Sequence, residues 1–160
     1  MTDRPIDPDV DLHVPAQRAE LHWTVPAVIA VGGALGALAR HGLQEALPAG
    51  PGEFPWATFW VNVSGCLLIG VLMVVITEVR PAHRLVRPFL GVGVLGGYTT
   101  FSAYAVDFQR LIAARAPVAG LLYLAGTMAA ALAAVAAGMW LTRRVARARG
   151  ARGARRAGTR

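Results

Sequence analysis

The chain has 160 residues, of which 55% are hydrophobic and only 16% are charged, and its mean hydropathy is +0.47. Soluble domains carry about 25% charged residues. Most charges here lie near the two ends, and residues 23–142 are almost uncharged. Because a soluble fold of this size cannot bury so much apolar surface, the composition predicts an integral membrane protein.

The net charge of +7 comes from 16 basic residues, all of them arginine, against 9 carboxylates. Residues 143–160 contain eight of these arginines and no aromatic residue. Basic chains can bind nucleic acid, but without interleaved aromatics we expect no nucleic acid partner. Anionic membrane lipid is the favoured partner of this segment. We expect disordered tails at residues 1–22 and 143–160 because both are polar.

Four segments between residues 23 and 142 are long enough to cross a bilayer, which takes about 20 apolar residues. The segments are residues 23–47, 55–77, 88–106 and 117–142. Short connections join them at residues 48–54, 79–87 and 107–116. The predicted fold class is therefore an all-α membrane protein with four transmembrane helices, and residues 23–142 form the membrane domain.

Four crossings place both termini on one side of the membrane, and the arginines divide unequally between the two sides. Three arginines lie on or near the opposite side, namely Arg40, Arg110 and Arg115. The remaining thirteen lie with the termini. The positive-inside rule therefore predicts that both termini are cytoplasmic in the plasma membrane (the bacterial inner membrane).

Small residues recur at a spacing of four in the first and third spans. The pairs are Gly32 with Gly36 and Gly93 with Gly97. This spacing lets helix backbones approach closely within lipid, so we expect tight helix packing at both pairs.

The third span contains GVGVLGGYTTFSAY from Gly91 to Tyr104. Glycines followed closely by two β-branched threonines make a poor uninterrupted helix, which predicts a break near Gly96–Thr99. Irregular backbone at this depth is tolerated only where protein or an aqueous cavity meets it. Freed carbonyls there would bind a hard cation, and freed amides would attract anions. A glycine-rich packing face with a kink is the alternative.

Several uncharged polar and aromatic side chains are candidates for an anion path. Asn62 lies near the middle of the second span, where an unpaired amide is costly, so it must face protein or water. Phe101 and Tyr104 share a helix face, and their positive ring edges beside Ser102 could line the path. A helix–helix hydrogen bond and core packing are the respective alternatives.

In the fourth span, Tyr123 and Thr127 are four apart and therefore share a face. They either continue a row of hydroxyls or bond to a neighbouring helix. Arg40 lies within the first span, where an arginine is usually paired or functional, although near the interface it can also reach the headgroups.

Three carboxylates are predicted to lie at span ends, namely Glu45, Glu78 and Asp107, and none lies in the middle of a span. This argues against a proton-coupled exporter. The sequence contains no Ser/His/Asp set, phosphate loop or cluster of metal ligands, so we do not expect an enzyme.

Three motifs occur in order, one in each of the first three spans. They read GGALGALARH from Gly32, VNVSGCLLIG from Val61 and GGYTTFSAY from Gly96. In this combination residues 27–142 resemble the CrcB/Fluc family of fluoride channels. The chain departs from the family's common TTFSTF at Ala103 and Tyr104.

The resemblance implies an antiparallel dimer, of identical or paired homologous subunits, with two fluoride pores lined by both subunits. It also implies a structural, untransported sodium ion between the broken third helices. The backbone carbonyls of Gly96 and Thr99 would be its ligands, and Arg40 would be a structural residue of the first helix. The implied pore-lining residues are Asn62, Phe101, Ser102, Tyr104, Tyr123 and Thr127.

The function that the resemblance implies is passive export of cytoplasmic fluoride by a selective channel. One alternative is a small four-span multidrug-type transporter, which would need a mid-membrane carboxylate in the first span that this sequence lacks. The other alternative is a non-conducting membrane assembly subunit whose glycine faces dock a partner.

Overall fold

A computed structural model describes residues 23–79 and 83–157, with side chains as far as residue 148. The first helix is Thr24–Ala46, and the second is Trp56–Val74 with a π-helical continuation at Val75–Val79. The fourth helix is Pro117–Ala157. The predicted disordered segment at residues 1–22 lies outside the described residues.

The third helix consists of two pieces, which we name helix 3a and helix 3b. Helix 3a is π-helical over Arg87–Leu95 and α-helical over Gly96–Tyr98, and helix 3b is Ser102–Ala113. All four helices are long and apolar enough to cross a membrane. The prediction of a mostly helical, multi-pass membrane protein with four spans is therefore confirmed.

The irregular backbone in the third helix lies slightly later than the sequence predicted. Gly96 is helical, with φ −65° and ψ −38°, and helical geometry continues to Tyr98. Thr99 is extended, with ψ 156°. The glycines stay helical because the N–H of Gly96 donates to the carbonyl of Gly91 and the N–H of Thr99 donates to that of Leu95.

Helix 3b is longer than predicted, so the placement of residues 107–116 in a connection is wrong. The helix continues to Ala113, and only three residues separate it from Pro117. Arg115 has a positive φ of 58°, and the next N–H, of Ala116, donates to the carbonyl of Leu111 over 3.0 Å. Arg115 thus ends the helix in the left-handed conformation that glycine usually adopts, so no glycine marks the helix end in the sequence.

The fourth helix is also longer than predicted. It continues to Ala157, whereas residues 143–160 were expected to be disordered, so that expectation is corrected for residues 143–157. Alanine and arginine are both good helix formers, and arginine is favourable near a helix C-terminus. Low apolar content alone therefore did not decide the conformation of this segment.

Close backbone contacts join the helices in two pairs. A methyl group added at Gly32 would lie 2.6 Å from the carbonyl oxygen of Phe89, and one at Gly93 would lie 2.9 Å from that of Ile29. The first helix therefore packs tightly on helix 3a, as the glycine spacing predicts. The second and fourth helices meet in the same way at Gly70 and Gly138, which the sequence analysis did not single out.

We expect Gly36→Ala to destabilise the protein, because the added methyl would overlap the carbonyl of Val94 and lie 2.8 Å from the N–H of Tyr98. Overpacking of this kind costs about 1–3 kcal/mol. Gly42→Ala in the same helix is the matched control, since a methyl there meets nothing within 4 Å. Thermal melting of the two purified variants should show a lower Tm only for Gly36→Ala, and equal melting would contradict the packing argument.

Candidate functional site

Asn62 joins the second helix to the irregular backbone of the third. Its Nδ2 donates to the carbonyl of Thr100 over 3.0 Å, and its Oδ1 accepts the N–H of Thr100 over 2.9 Å. One side-chain amide thus satisfies both polar groups of a peptide backbone that the helix has released. Asn62 therefore faces protein, which is one of the two predicted environments. Its side-chain amide has a second N–H that takes no part in the two bonds to Thr100.

Two backbone carbonyls that would accept hydrogen bonds in a continuous helix lose their helical donors here. In an α-helix the N–H of Thr100 would donate to Gly96, but here it donates to Asn62. Likewise the N–H of Ala103 donates over 3.1 Å to the hydroxyl of Thr100 instead of to the carbonyl of Thr99. The carbonyls of Gly96 and Thr99 are thereby released from their helical partners.

A groove of about 420 Å³ lies beside this irregular backbone, and we name it the Asn62 groove. Cys66, Met128 and Ala131 contribute to its wall. It brings together six of the predicted site residues, which lie on three different helices. They are Asn62, Gly96, Thr99, Phe101, Tyr104 and Thr127.

Two aromatic rings stand at the groove in different environments. The Phe101 side chain is 75% exposed within the single chain, whereas Tyr104 is buried. Their ring centroids are 5.8 Å apart, and the planes are tilted by 46°. The Tyr104 hydroxyl donates to the carbonyl of Leu124 over 2.6 Å. Tyrosine therefore presents its ring at this position while its hydroxyl is held by the fourth helix.

Tyr104→Phe should lower stability without reducing ion flux, because it removes this hydrogen bond and keeps the ring. Loss of one such bond costs about 1 kcal/mol. Flux through liposomes and the Tm of the purified variant would be measured together. A large loss of flux with an unchanged Tm would instead place the hydroxyl in the ion path.

The fourth helix contributes two buried hydroxyls. Tyr123 is fully buried and Thr127 is 3% exposed. The Thr127 hydroxyl oxygen has no hydrogen-bond partner among the described residues, whereas the Tyr123 hydroxyl lies near that of Thr58. Thr127 lines the Asn62 groove, while Tyr123 lies behind it with its ring 5.3 Å from that of Tyr104. An unpartnered buried hydroxyl costs about 1–3 kcal/mol, so the Thr127 hydroxyl is suited to bind a ligand or water.

Ser102 lies on a second, larger cavity of about 920 Å³, which we name the Asp107 cavity. Within it the Thr58 hydroxyl donates to the Asp107 carboxylate over 2.6 Å, and Arg110 lies 3.3 Å from the other carboxylate oxygen. Asp107 belongs to helix 3b, and its side chain is only 13% exposed. The hydroxyl of Ser102 is 3.3 Å from that of Thr100.

Thr58 and Asp107 line the Asp107 cavity but are not among the site residues predicted from the sequence. Spacing could have found them, because Thr58 precedes Asn62 by four residues and Asp107 follows Tyr104 by three.

Comparison with known proteins shows which family this chain belongs to. The family model described as CrcB-like protein, Camphor Resistance (CrcB), matches residues 27–139. The chain belongs to the CrcB family. The match includes both halves of the third helix and every predicted site residue of this CrcB chain.

Curated relatives of the CrcB chain bear a more specific name. A protein of Streptomyces coelicolor named fluoride-specific ion channel FluC 1 is 60% identical over 76% of this chain and 79% of its own. A Streptomyces avermitilis protein named fluoride-specific ion channel FluC 2 is 54% identical over 76% and 79%. One from Nocardia farcinica, also named FluC 2, is 50% identical over 79% and 91%.

Arg40 lies apart from the Asn62 groove in this CrcB chain. It belongs to the first helix and lines neither of the cavities described above. Its Nε atom is buried and has no hydrogen-bond partner among the described residues. The structure therefore does not join Arg40 to the other predicted site residues.

Proposed function

We propose that this chain is the subunit of a fluoride-selective channel that lets cytoplasmic fluoride leave the cell passively. The observation on which this depends most is the pairing of Asn62 with Thr100, which opens the third helix beside the Asn62 groove. Membership of the CrcB family and relatives named fluoride-specific ion channels support it.

The groove has the donors that a small, strongly hydrated anion requires. Fluoride enters a narrow path only where protein donors replace its water. The free N–H of Asn62, the Thr127 hydroxyl and the ring edges of Phe101 and Tyr104 are such donors. All of them are uncharged, so binding stays weak enough for the ion to leave, as conduction requires.

A second subunit in the opposite orientation would close each groove. In one chain the Phe101 ring is 75% exposed although it lies on the Asn62 groove within the membrane domain. We therefore assign two pores to an antiparallel dimer, each lined by both subunits. The second subunit is either an identical copy or a paired homologue, and Streptomyces avermitilis has relatives named both FluC 2 and FluC 3.

The residues at the interruption fit a structural sodium ion between the subunits. The carbonyls of Gly96 and Thr99 are released from their helical partners, and neutral peptide oxygens are suitable ligands for a hard cation. One chain supplies too few oxygens for a full shell, so the other subunit would supply the rest. When bound, the ion would offset the carbonyl dipoles and hold the two third helices together.

Fluoride efflux from liposomes that contain the purified chain tests the proposal. Fluoride release with chloride retained supports the channel. Proton-coupled uptake of an organic cation would support the multidrug-type transporter. Absence of flux, even after reconstitution with a paired homologue, would support a non-conducting assembly subunit.

The arginine distribution gives a separate expectation about orientation in the plasma membrane. Thirteen of the 16 arginines lie on the side of the termini, so we expect both termini in the cytoplasm. Accessibility of an epitope tag at either terminus, probed in intact and permeabilised cells, measures this. Equal detection on both faces would show that the arginine-rich end does not set the orientation.

A further inference from the structure

A third groove, of about 320 Å³, lies on the fourth helix and shares no lining residue with the Asn62 groove, and we name it the Trp140 groove. Two columns of side chains line it, with successive members four residues apart and so on one helix face. One column is Ala136, Trp140 and Arg144, and the other is Met139, Arg143 and Arg147. Each column changes from apolar to cationic in the same direction along the helix.

The charges at the cationic end are only partly neutralised. Arg143 is paired with Glu78 of the second helix, through Nε at 2.9 Å and a terminal nitrogen at 2.7 Å from the same carboxylate oxygen. Arg144 and Arg147 form no ion pair with any of the described residues. The guanidinium of Arg144 lies 4.7 Å from the ring centroid of Trp140. Two cations of this groove are therefore not engaged in a direct ion pair with any described residue.

The groove also lies at the depth where a bilayer changes from acyl chains to headgroups. The apolar part of the fourth helix ends at Thr142, Arg143 and Arg144 follow directly, and Trp140 is 58% exposed just before them. Exposed tryptophans and arginines near the end of a span are typical of the membrane interface. The apolar half of the groove thus faces acyl chains, and its cationic half faces phosphates.

We propose that the Trp140 groove binds one anionic phospholipid. Arg144 and Arg147 hold the phosphate through charge-assisted hydrogen bonds, for which the planar guanidinium is well suited. Trp140 and Met139 contact the upper part of an acyl chain. A free phosphate ion would use only the cationic half, so the apolar half favours a lipid as the occupant. The proposal does not depend on the chain conducting fluoride.

Native mass spectrometry of the full-length protein, titrated with phosphatidylglycerol or phosphatidylcholine, tests this proposal. We expect preferential binding of phosphatidylglycerol. Arg144→Gln with Arg147→Gln should weaken that binding about twenty-five-fold, since each arginine near an anionic headgroup contributes about fivefold. Six arginines after residue 142 remain in this variant, so a loss identifies the groove and not the overall charge.

The matched control is Arg84→Gln with Arg87→Gln, which removes the same charge from exposed positions assigned to the same side of the membrane. We expect it to bind phosphatidylglycerol like the unaltered protein. Arg144→Lys with Arg147→Lys keeps the charge and should retain most of the binding, which separates lost contact from lost folding. An equal loss in the Arg84 and Arg87 variant would overturn the proposal. Displacement of the lipid by millimolar inorganic phosphate would overturn it as well, by making the occupant a free anion.

Discussion

Asn62→Leu is expected to lose most fluoride flux and to melt at a clearly lower temperature than the unaltered protein. Leucine has a similar volume but forms neither hydrogen bond to Thr100, so the N–H and the carbonyl of that residue are left unpaired at membrane depth. Each unsatisfied group costs about 1–3 kcal/mol. Flux would be measured in liposomes and stability by thermal melting.

Two further variants show whether the bonds to Thr100 are responsible. Asn62→Asp keeps the acceptor for the Thr100 N–H but brings a carboxylate towards its carbonyl, so we expect flux to be lost with a smaller fall in Tm. Thr77→Val is the control, because the Thr77 hydroxyl bonds only locally, to the carbonyl of Met73 over 2.7 Å. An Asn62→Leu protein with normal flux would disprove the role assigned to Asn62.

Phe101→Ile is expected to abolish flux while leaving the dimer and the Tm nearly unchanged. The substitution roughly keeps the side-chain volume and removes the positive ring edge. Because the Phe101 side chain is 75% exposed in the single chain, little packing within the subunit is lost. Fluoride efflux and dimer cross-linking would be measured on the same preparation.

Leu122→Ile is a matched control for this change, since Leu122 is 65% exposed on the neighbouring fourth helix. It should conduct like the unaltered protein. Normal flux in the Phe101→Ile protein would show that ring-edge donation plays no part in conduction. Loss of the proposed dimer would show instead that the ring acts in assembly.

Parts of this architecture follow from local sequence. Apolar length predicts the four spans, and the spacing of Gly32 and Gly36 predicts close helix contact, because both depend on residues within a few turns. The family resemblance assigns Asn62, Phe101 and Thr127 to one pore, and all three line one groove.

Other features depend on contacts between distant residues and could not be read from the sequence. The irregular backbone begins at Thr99 because the N–H of Thr100 bonds to Asn62, which lies 38 residues away. The end of helix 3b depends on the left-handed conformation of Arg115. Arginine rarely adopts this conformation, so its presence in the sequence does not predict a helix end. The Tyr104 hydroxyl is directed to the carbonyl of Leu124, which only the packing of two helices determines.

The double hydrogen bond of Asn62 has a consequence for how such proteins can diverge. In the channel proposed above, the side chain that would contact the ion also keeps the third helix open, so replacing it changes the fold as well as the ion path. We therefore expect that evolution changes the anion preference of such a channel at positions such as Phe101 and Thr127. Replacing these residues leaves the bonds between Asn62 and Thr100 intact.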